Sequence, residues 1–305
     1  MRRAADRQGM ALLTVLLLVA VMAAVAVLIL DDIRFSVRRT TNVETQAQAQ
    51  WYAAGAEALA RRQIADLMAV DPARTPLEPR WNGRVLDFPI DEGSIRAVVT
   101  DGQACFNLNS LGRAPARANM SETPAASRPQ DFARLLVATG IPLMEANTLA
   151  QATAARLAQT GQLWADPSEW AAIPGVTPRH WALAGPLLCA LPTRENSTVN
   201  INSLTAAQAP LLAGLGLGAD EARRAIGARP AVGWNSASDF MTSSGSNADQ
   251  TGEAAERMGT STRWMRLSIV ATTPRARVAR DLLIDTLEQP AAVVSSRWRA
   301  VEEAS

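Results

Sequence analysis

From Met10 to Leu30 the chain runs for 21 residues without a charge, and Thr14 is the only polar side chain among them. At 1.5 Å per residue a helix of that length reaches about 30 Å, the thickness of a bilayer core. A short basic leader with Arg2, Arg3 and Arg7 precedes the run and ends in Gly9. The run does not stop as an ordinary anchor does. It passes through Asp31-Asp32 into helix-favouring sequence as far as Asp71, where Pro72 ends it. One helix from Met10 to about Val70 would be roughly 90 Å long, its first half in lipid and its second half in water. In the second half Ala53, Ala56, Ala60, Ile64 and Leu67 fall on one face of a 3.6-residue period, flanked by Trp51 and Tyr52. Such a stripe needs a partner, and a sheet is expected.

The rest of the chain reads as strands interrupted by helical sequence. Residues 71–93 are rich in Pro, Gly and charge and form a connection with a short strand at Arg84–Ile90. Gly93–Asp101 is a strand, Asp101-Gly102 is a hairpin signal, and Gln103–Leu108 is expected to be the return strand. Residues 112–130 are a Pro-, Ala- and Ser-rich linker. Asp131–Ala158 is helical with a break at Gly140-Ile141-Pro142, Asp166-Pro167 opens a further helix, and another ends near Cys189. Val199-Asn-Ile-Asn-Ser-Leu204 then repeats Phe106-Asn-Leu-Asn-Ser-Leu111, and each phrase reads as an exit from a sheet into helix. Thr262–Ala271, Val278–Leu287 and Ala292–Arg299 are closing strands. A long helix, strands, inserted helices and final strands make an α+β protein: one N-terminal helix packed on an antiparallel sheet, with inserted helical domains of helix-hairpin-helix or SAM-like type.

Composition removes several classes of function. All 30 basic residues are Arg, and the formal net charge is +1. Removing Met1–Gly9 deletes three Arg and one Asp, which lowers the side-chain charge by 2 to −1. Nothing there points to nucleic acid. Residues 199–230, with Leu211–Ala219 at their centre, resemble a helix-hairpin-helix, whose DNA-binding versions aim backbone N–H groups at phosphates. From Asn196 to Met258, however, four Arg face six Asp and Glu, a net of −2, and phosphate binding requires the opposite sign.

His180 is the single histidine and cannot build a metal cluster alone. Paired with Cys189 it would lack any oxyanion signature, so no enzyme is expected. Trp164, Trp170 and Trp181 are core residues or, as interfaces favour Trp, a contact surface. Cys105 and Cys189 fit either one disulfide in an oxidising compartment or two buried thiols.

A leader cut after Gly9, followed by a helix that is both anchor and spine, resembles the type IV pilin-like signal. Most such subunits carry Glu at the fifth mature position; counted from Met10, that position here is Thr14. The missing Glu, together with Met10–Leu30, Asp101–Leu111, Ser168–Pro192 and Val199–Gln208 in this order, is similar to the K-type minor pseudopilins of the type II secretion system, the GspK family. The resemblance implies cleavage between Gly9 and Met10 by a prepilin peptidase, N-methylation of Met10, and an inner-membrane span with the bulk in the periplasm. It implies a place at the tip of the pseudopilus, beside the I-, J- and H-type minor pseudopilins and the major pseudopilin. Leu12, Leu16, Val19, Trp51 and Tyr52 would lie on the shared helix. The implied divisions are a leader 1–9, a span 10–30, a pilin-like helix and first strands 31–111, an inserted helical domain 112–198, a second helical module 199–262 and closing strands 263–305.

The family's calcium-associated acidic segment corresponds to Ala154–Trp164, which has no carboxylate, so no cofactor is expected. Asn247, Asp249 and Glu253 are read as a solvated loop. Two rival readings stand beside this one. Ala24-Val25-Ala26 is a Sec-type cleavage site, and the hairpin would suit an exported DNA-uptake protein.

Overall fold

The computed structural model describes residues 2–111, 128–195, 198–245, 252–288 and 291–299, with backbone alone at 2–13 and 252–253. Helix α1 (Arg2–Val70) is continuous for 69 residues. It contains no proline, and Pro72 lies just beyond its end. Ala49, Ala53, Ala60, Ile64 and Leu67 are buried along one face. Three of these five are alanine, so the helix can settle close to the strands beneath it.

Those strands form one five-stranded sheet in the order β1-β2-β7-β8-β9, every pair antiparallel. The ranges are β1 (Val85–Ile90), β2 (Gly93–Asp101), β7 (Trp264–Thr272), β8 (Arg277–Asp285) and β9 (Ala292–Arg299). Met265, Leu267, Ile269 and Ala271 alternate along β7 and, with Val278, Leu282 and Ile284 of β8, make the floor under α1. Burying this floor against the helix stripe is the main apolar contribution to the domain. The Arg280 guanidinium meets the Glu57 carboxylate at 2.9 Å, and Arg61 Nε donates to the carbonyl of Ala291 at 2.9 Å, so polar contacts also tie helix to sheet.

The expected hairpin at Asp101-Gly102 does not form. On the side away from β1 the neighbour of β2 is β7, and Asp101 pairs with Met265. Gln103–Leu108 leaves the sheet and, apart from a partly buried Cys105, is buried throughout. A return strand with one wet face cannot be buried on both sides in this way. The Asp-Gly turn signal is used instead to bend the chain out: Gly102 N–H donates to Trp264 O at 2.8 Å and Gln103 N–H to the Asp101 carboxyl at 2.8 Å. Everything between Asp101 and Trp264 is inserted between two neighbouring strands.

The insertion consists of two helical modules on one plan. The first contains β3 (Phe106–Asn107), α2 (Pro129–Ala138), α3 (Leu143–Thr160), a 3-10 turn at Pro167–Ala172, α4 (Pro178–Ala184) and β4 (Leu188–Cys189). The second contains β5 (Val199–Asn200), α5 (Ala209–Gly214), α6 (Ala219–Gly227), α7 (Ala237–Ser244), α8 (Gly252–Glu256) and β6 (Met258–Gly259). In each module the first strand pairs in parallel with the last, β3 with β4 and β5 with β6. The two Asn phrases therefore sit in two-residue ladders of their own and are not exits from the main sheet.

The helical hairpins match bond for bond. Gly140 and Gly216 have φ of 96° and 99°, a conformation that glycine adopts without strain. Gly140 N–H donates to Val137 O at 2.9 Å and Ile141 N–H to Leu136 O at 3.1 Å; Gly216 N–H donates to Ala213 O and Leu217 N–H to Leu212 O, both at 3.0 Å. The modules share one apolar core, to which Phe132, Leu136, Trp170, Leu204, Leu212 and Phe240 contribute. Gly214 lets α5 approach α2: a Cβ there would lie 3.1 Å from Asp131 O.

Candidate assembly helix and head

The sequence-predicted residues of the long helix do not converge on a pocket; they are strung along its axis. Gly9, Met10 and Leu12 lie on α1, and their side chains fall outside the described residues. Thr14 is exposed on the apolar segment, as are Leu16 and Val19 at 58% and 56%. From Thr14 to Trp51 is about 55 Å of helix. Trp51 is 79% exposed, whereas Tyr52 is partly buried against the sheet-facing core. The helix is long and apolar enough to cross a membrane, with none of its most apolar window covered by the rest of the chain. A continuous exposed apolar surface of this length requires lipid or other helices around it.

Below Trp51 an apolar groove of about 500 Å³ opens between α1 and the β1–β2 edge, lined by Leu67, Val70, Trp81, Leu86 and Phe88 among others. Among the described residues no catalytic constellation accompanies it. Cys189 is bonded to Cys105, with Cα atoms 5.8 Å apart, so it offers no thiolate. His180 is buried; its Nδ1 accepts from Thr177 N–H at 3.1 Å and its Nε2 meets Glu145 at 3.0 Å, so it caps α4. Trp164 and Trp170 are core residues, and Trp181, partly buried, packs on Gly185. Trp170 Nε1–H donates to Thr153 Oγ1 at 3.0 Å, which satisfies its polar edge inside the core.

Ala154–Trp164 offers no carboxylate as a calcium ligand. Ala154–Trp164 closes α3 and the loop after it, and what it presents is a cation: the Arg156 guanidinium lies 3.6 Å from the Trp164 ring centroid. Asn247 and Asp249 lie outside the described residues, as does the side chain of Glu253. Among the described residues no group of three or more His, Cys, Asp and Glu side chains could hold a metal.

What builds the head is a pair of asparagine clasps. Asn109 accepts from Trp164 N–H at 2.7 Å and donates to Trp164 O at 3.0 Å. Asn202 accepts from Trp234 N–H at 2.7 Å and donates to Trp234 O at 2.9 Å. In each module the second Asn of the phrase thus pins both backbone groups of one tryptophan. An aromatic follows each six residues on, Trp170 and Phe240, and both are fully buried. The repeated phrase was visible in the sequence, but its Trp partner was not, because the separations differ.

The seam between head and sheet is also polar. Arg263 grips Asp285 with Nη2 at 2.7 Å and Nε at 3.0 Å. Burial alone would raise the Asp285 carboxyl, but hydrogen bonds from Arg263 and from Leu287 N–H hold it below the ordinary carboxylate range.

The sequence profile of the family described as Type II secretion system (T2SS), protein K matches residues 199–261. The type II secretion system protein K of Aeromonas hydrophila is 33% identical over 256 residues, 74% of this chain and 77% of the relative. That of Klebsiella pneumoniae is 31% identical over 263 residues, 77% of this chain and 79% of the relative. A chain in the crystal structure of the GspK-GspI-GspJ complex from the enterotoxigenic Escherichia coli type 2 secretion system superimposes with a TM-score of 0.73. It shares 24% identity, with 86% of this chain and 100% of that chain covered, and so speaks for the fold.

A long N-terminal helix with an exposed apolar half, laid on an antiparallel sheet that carries a helical head, defines a pilin-like subunit. With the two curated relatives above, this chain belongs to the type II secretion system protein K family, the GspK minor pseudopilins. Its relatives are named as parts of a secretion system and not as enzymes.

Proposed function

We propose that this protein is an inner-membrane minor pseudopilin that starts and caps the pseudopilus, with its head in the periplasm. The observation that carries the reading is Thr14 on an uninterrupted helix. In an assembled spine a buried Glu would need the N-terminal amine of a neighbouring subunit, since a lone charge in apolar surroundings is costly. A subunit with Thr14 has no such need above it and can come first. The bulk of the two inserted modules supports the same place, because a head of this size is easier to seat at an end than along a fibre. On this reading a prepilin peptidase cuts between Gly9 and Met10, and α1 joins the spine beside I-, J- and H-type partners. The divisions of the chain follow: leader, span, pilin-like body and two inserted modules.

The test is intact mass and N-terminal sequencing with and without a co-expressed prepilin peptidase. A mature chain beginning at Met10 with a mass consistent with N-methylation is expected. A start at Val27, or no processing, would overturn the reading. The DNA-uptake alternative predicts retention of DNA by the head at low salt, and the acidic balance of the second hairpin argues against it.

A further inference from the structure

Asp101 stands where the chain leaves the sheet for the head, and the groups around its carboxyl come from three passages of the chain. Gln103 N–H donates to Oδ1 at 2.8 Å. Ser203, within the second Asn phrase, places Oγ 2.5 Å from Oδ2, and Thr262, just before the chain rejoins the sheet at β7, places Oγ1 3.0 Å from the same oxygen. Ser203 and Thr262 are buried, at 5% and 0% exposure. Asn82, from the connection after α1, accepts from Asp101 N–H at 3.0 Å and donates to Ser203 O at 3.0 Å. One carboxyl therefore joins exit, midpoint and re-entry of the insertion.

Counting hydrogens decides the form of that carboxyl. Thr262 Oγ1 accepts from Asn200 Nδ2 at 2.8 Å, so its own hydrogen is free for Asp101 Oδ2. Ser203 has one hydroxyl hydrogen and two acceptors, Asp101 Oδ2 and Asn200 O at 2.9 Å. With a carboxylate, one of these two bonds goes unmade. With a neutral acid whose hydrogen sits on Oδ2, Asp101 donates to Ser203, Ser203 donates to Asn200 O, and Thr262 still donates to Oδ2. The neutral form makes one more bond, and its proton comes from solvent.

The cations on the neighbouring elements are engaged elsewhere. Arg263 of the re-entry segment holds Asp285, Arg229 of the second module donates to the carbonyls of Asn202 and Leu204, and Arg74 after α1 binds Asp71 and Asn235. The groups that meet the Asp101 carboxyl are neutral.

We propose that Asp101 is a proton-linked latch: as a neutral acid it completes the hydrogen-bond chain that seats the helical head on the sheet, and ionising it loosens that seat. Burial pushes the Asp101 carboxyl up, against the pull of its hydrogen bonds. A raised carboxyl binds its proton more tightly in the folded state. Its stabilisation is therefore complete below the unfolded value and is lost as pH rises through the folded one.

The test uses the full chain in detergent, with urea unfolding followed by tryptophan fluorescence from about pH 3.5, below the unfolded Asp value, to about pH 8. Asp101→Asn supplies a permanent donor toward Ser203. Its amide cannot also accept from Thr262, a loss that does not vary with pH, so its midpoint is expected to gain on that of the wild type from the acid to the alkaline end. A wild-type midpoint that gains on the variant as pH rises, or a constant difference, would falsify the latch. Ser203→Ala removes the acceptor of the proposed hydrogen and keeps the test open should the first variant not fold. It should weaken the protein more at the acid end than at the alkaline end, and the reverse order overturns the proposal.

Discussion

The first helical module is closed by a covalent bond and the second by hydrogen bonds alone. Both end in a two-residue parallel ladder, β3–β4 and β5–β6. At the mouth of the first ladder stand Cys105 and Cys189. At the corresponding mouth of the second stand Thr198 and Gly259, where a Cβ built on Gly259 would lie 3.6 Å from Thr198 Cβ. That spacing suits a disulfide, whose Cβ atoms lie about 3.5–4.5 Å apart. The geometry of closure is therefore common to both modules, and the staple is an addition to it. The longer insertion carries the staple. The entropy of closing a chain grows with the length closed, so a cross-link contributes most there.

The largest expected effect is removal of the staple. The bond closes a separation of 84 residues, and Cys105→Ser with Cys189→Ser is expected to cost about 2–5 kcal/mol. Urea unfolding of oxidised and reduced protein checks this, and identical midpoints would show that β3–β4 closes without help.

Next come the clasps. The Asn109 side chain makes three hydrogen bonds, two to Trp164 and one to Leu191 O at 2.8 Å, whereas the Asn202 side chain makes two, both to Trp234. Each Ala substitution leaves buried backbone groups unpaired, at a cost of about 1–3 kcal/mol, with Asn109→Ala the larger. Thermal unfolding of both variants gives the order, and a reversed order would mean that the second module depends on its clasp in place of a staple.

The smallest effect is a gain. Thr198→Cys with Gly259→Cys should form a second disulfide beside the native one and add about 1–2 kcal/mol, less than a native bond because engineered ones distort their surroundings. Free-thiol counting and the urea midpoint decide it; two unreacted thiols would break the equivalence of the two mouths.

Much of this architecture was legible in order. The helix from the apolar run to Val70, the strand Gly93–Asp101 and three closing strands follow from local periodicity, since helix and strand periods are written in adjacent residues. The Asp101-Gly102 signal misled because a tight turn defines only the direction in which a chain bends, and not the strand it meets next. The two helical modules showed only as a repeated Asn phrase, while its Trp partners and matched glycine hairpins were hidden by unequal spacing. Asp101 gave no sign at all, because its partners Ser203 and Thr262 are more than a hundred residues away.

By itself the sequence determined the apolar span, the length of the helix, the absence of Glu at Thr14, the acidic balance of the second hairpin and the lack of carboxylates in Ala154–Trp164. Each is a property of composition or period within one stretch. Only the tertiary structure decided that β2 lies beside β7, that Cys105 meets Cys189, that two modules share one core, and that one carboxyl joins head to sheet. Those are closures over long separations, and their free energy depends on which distant groups arrive together, which no local pattern records.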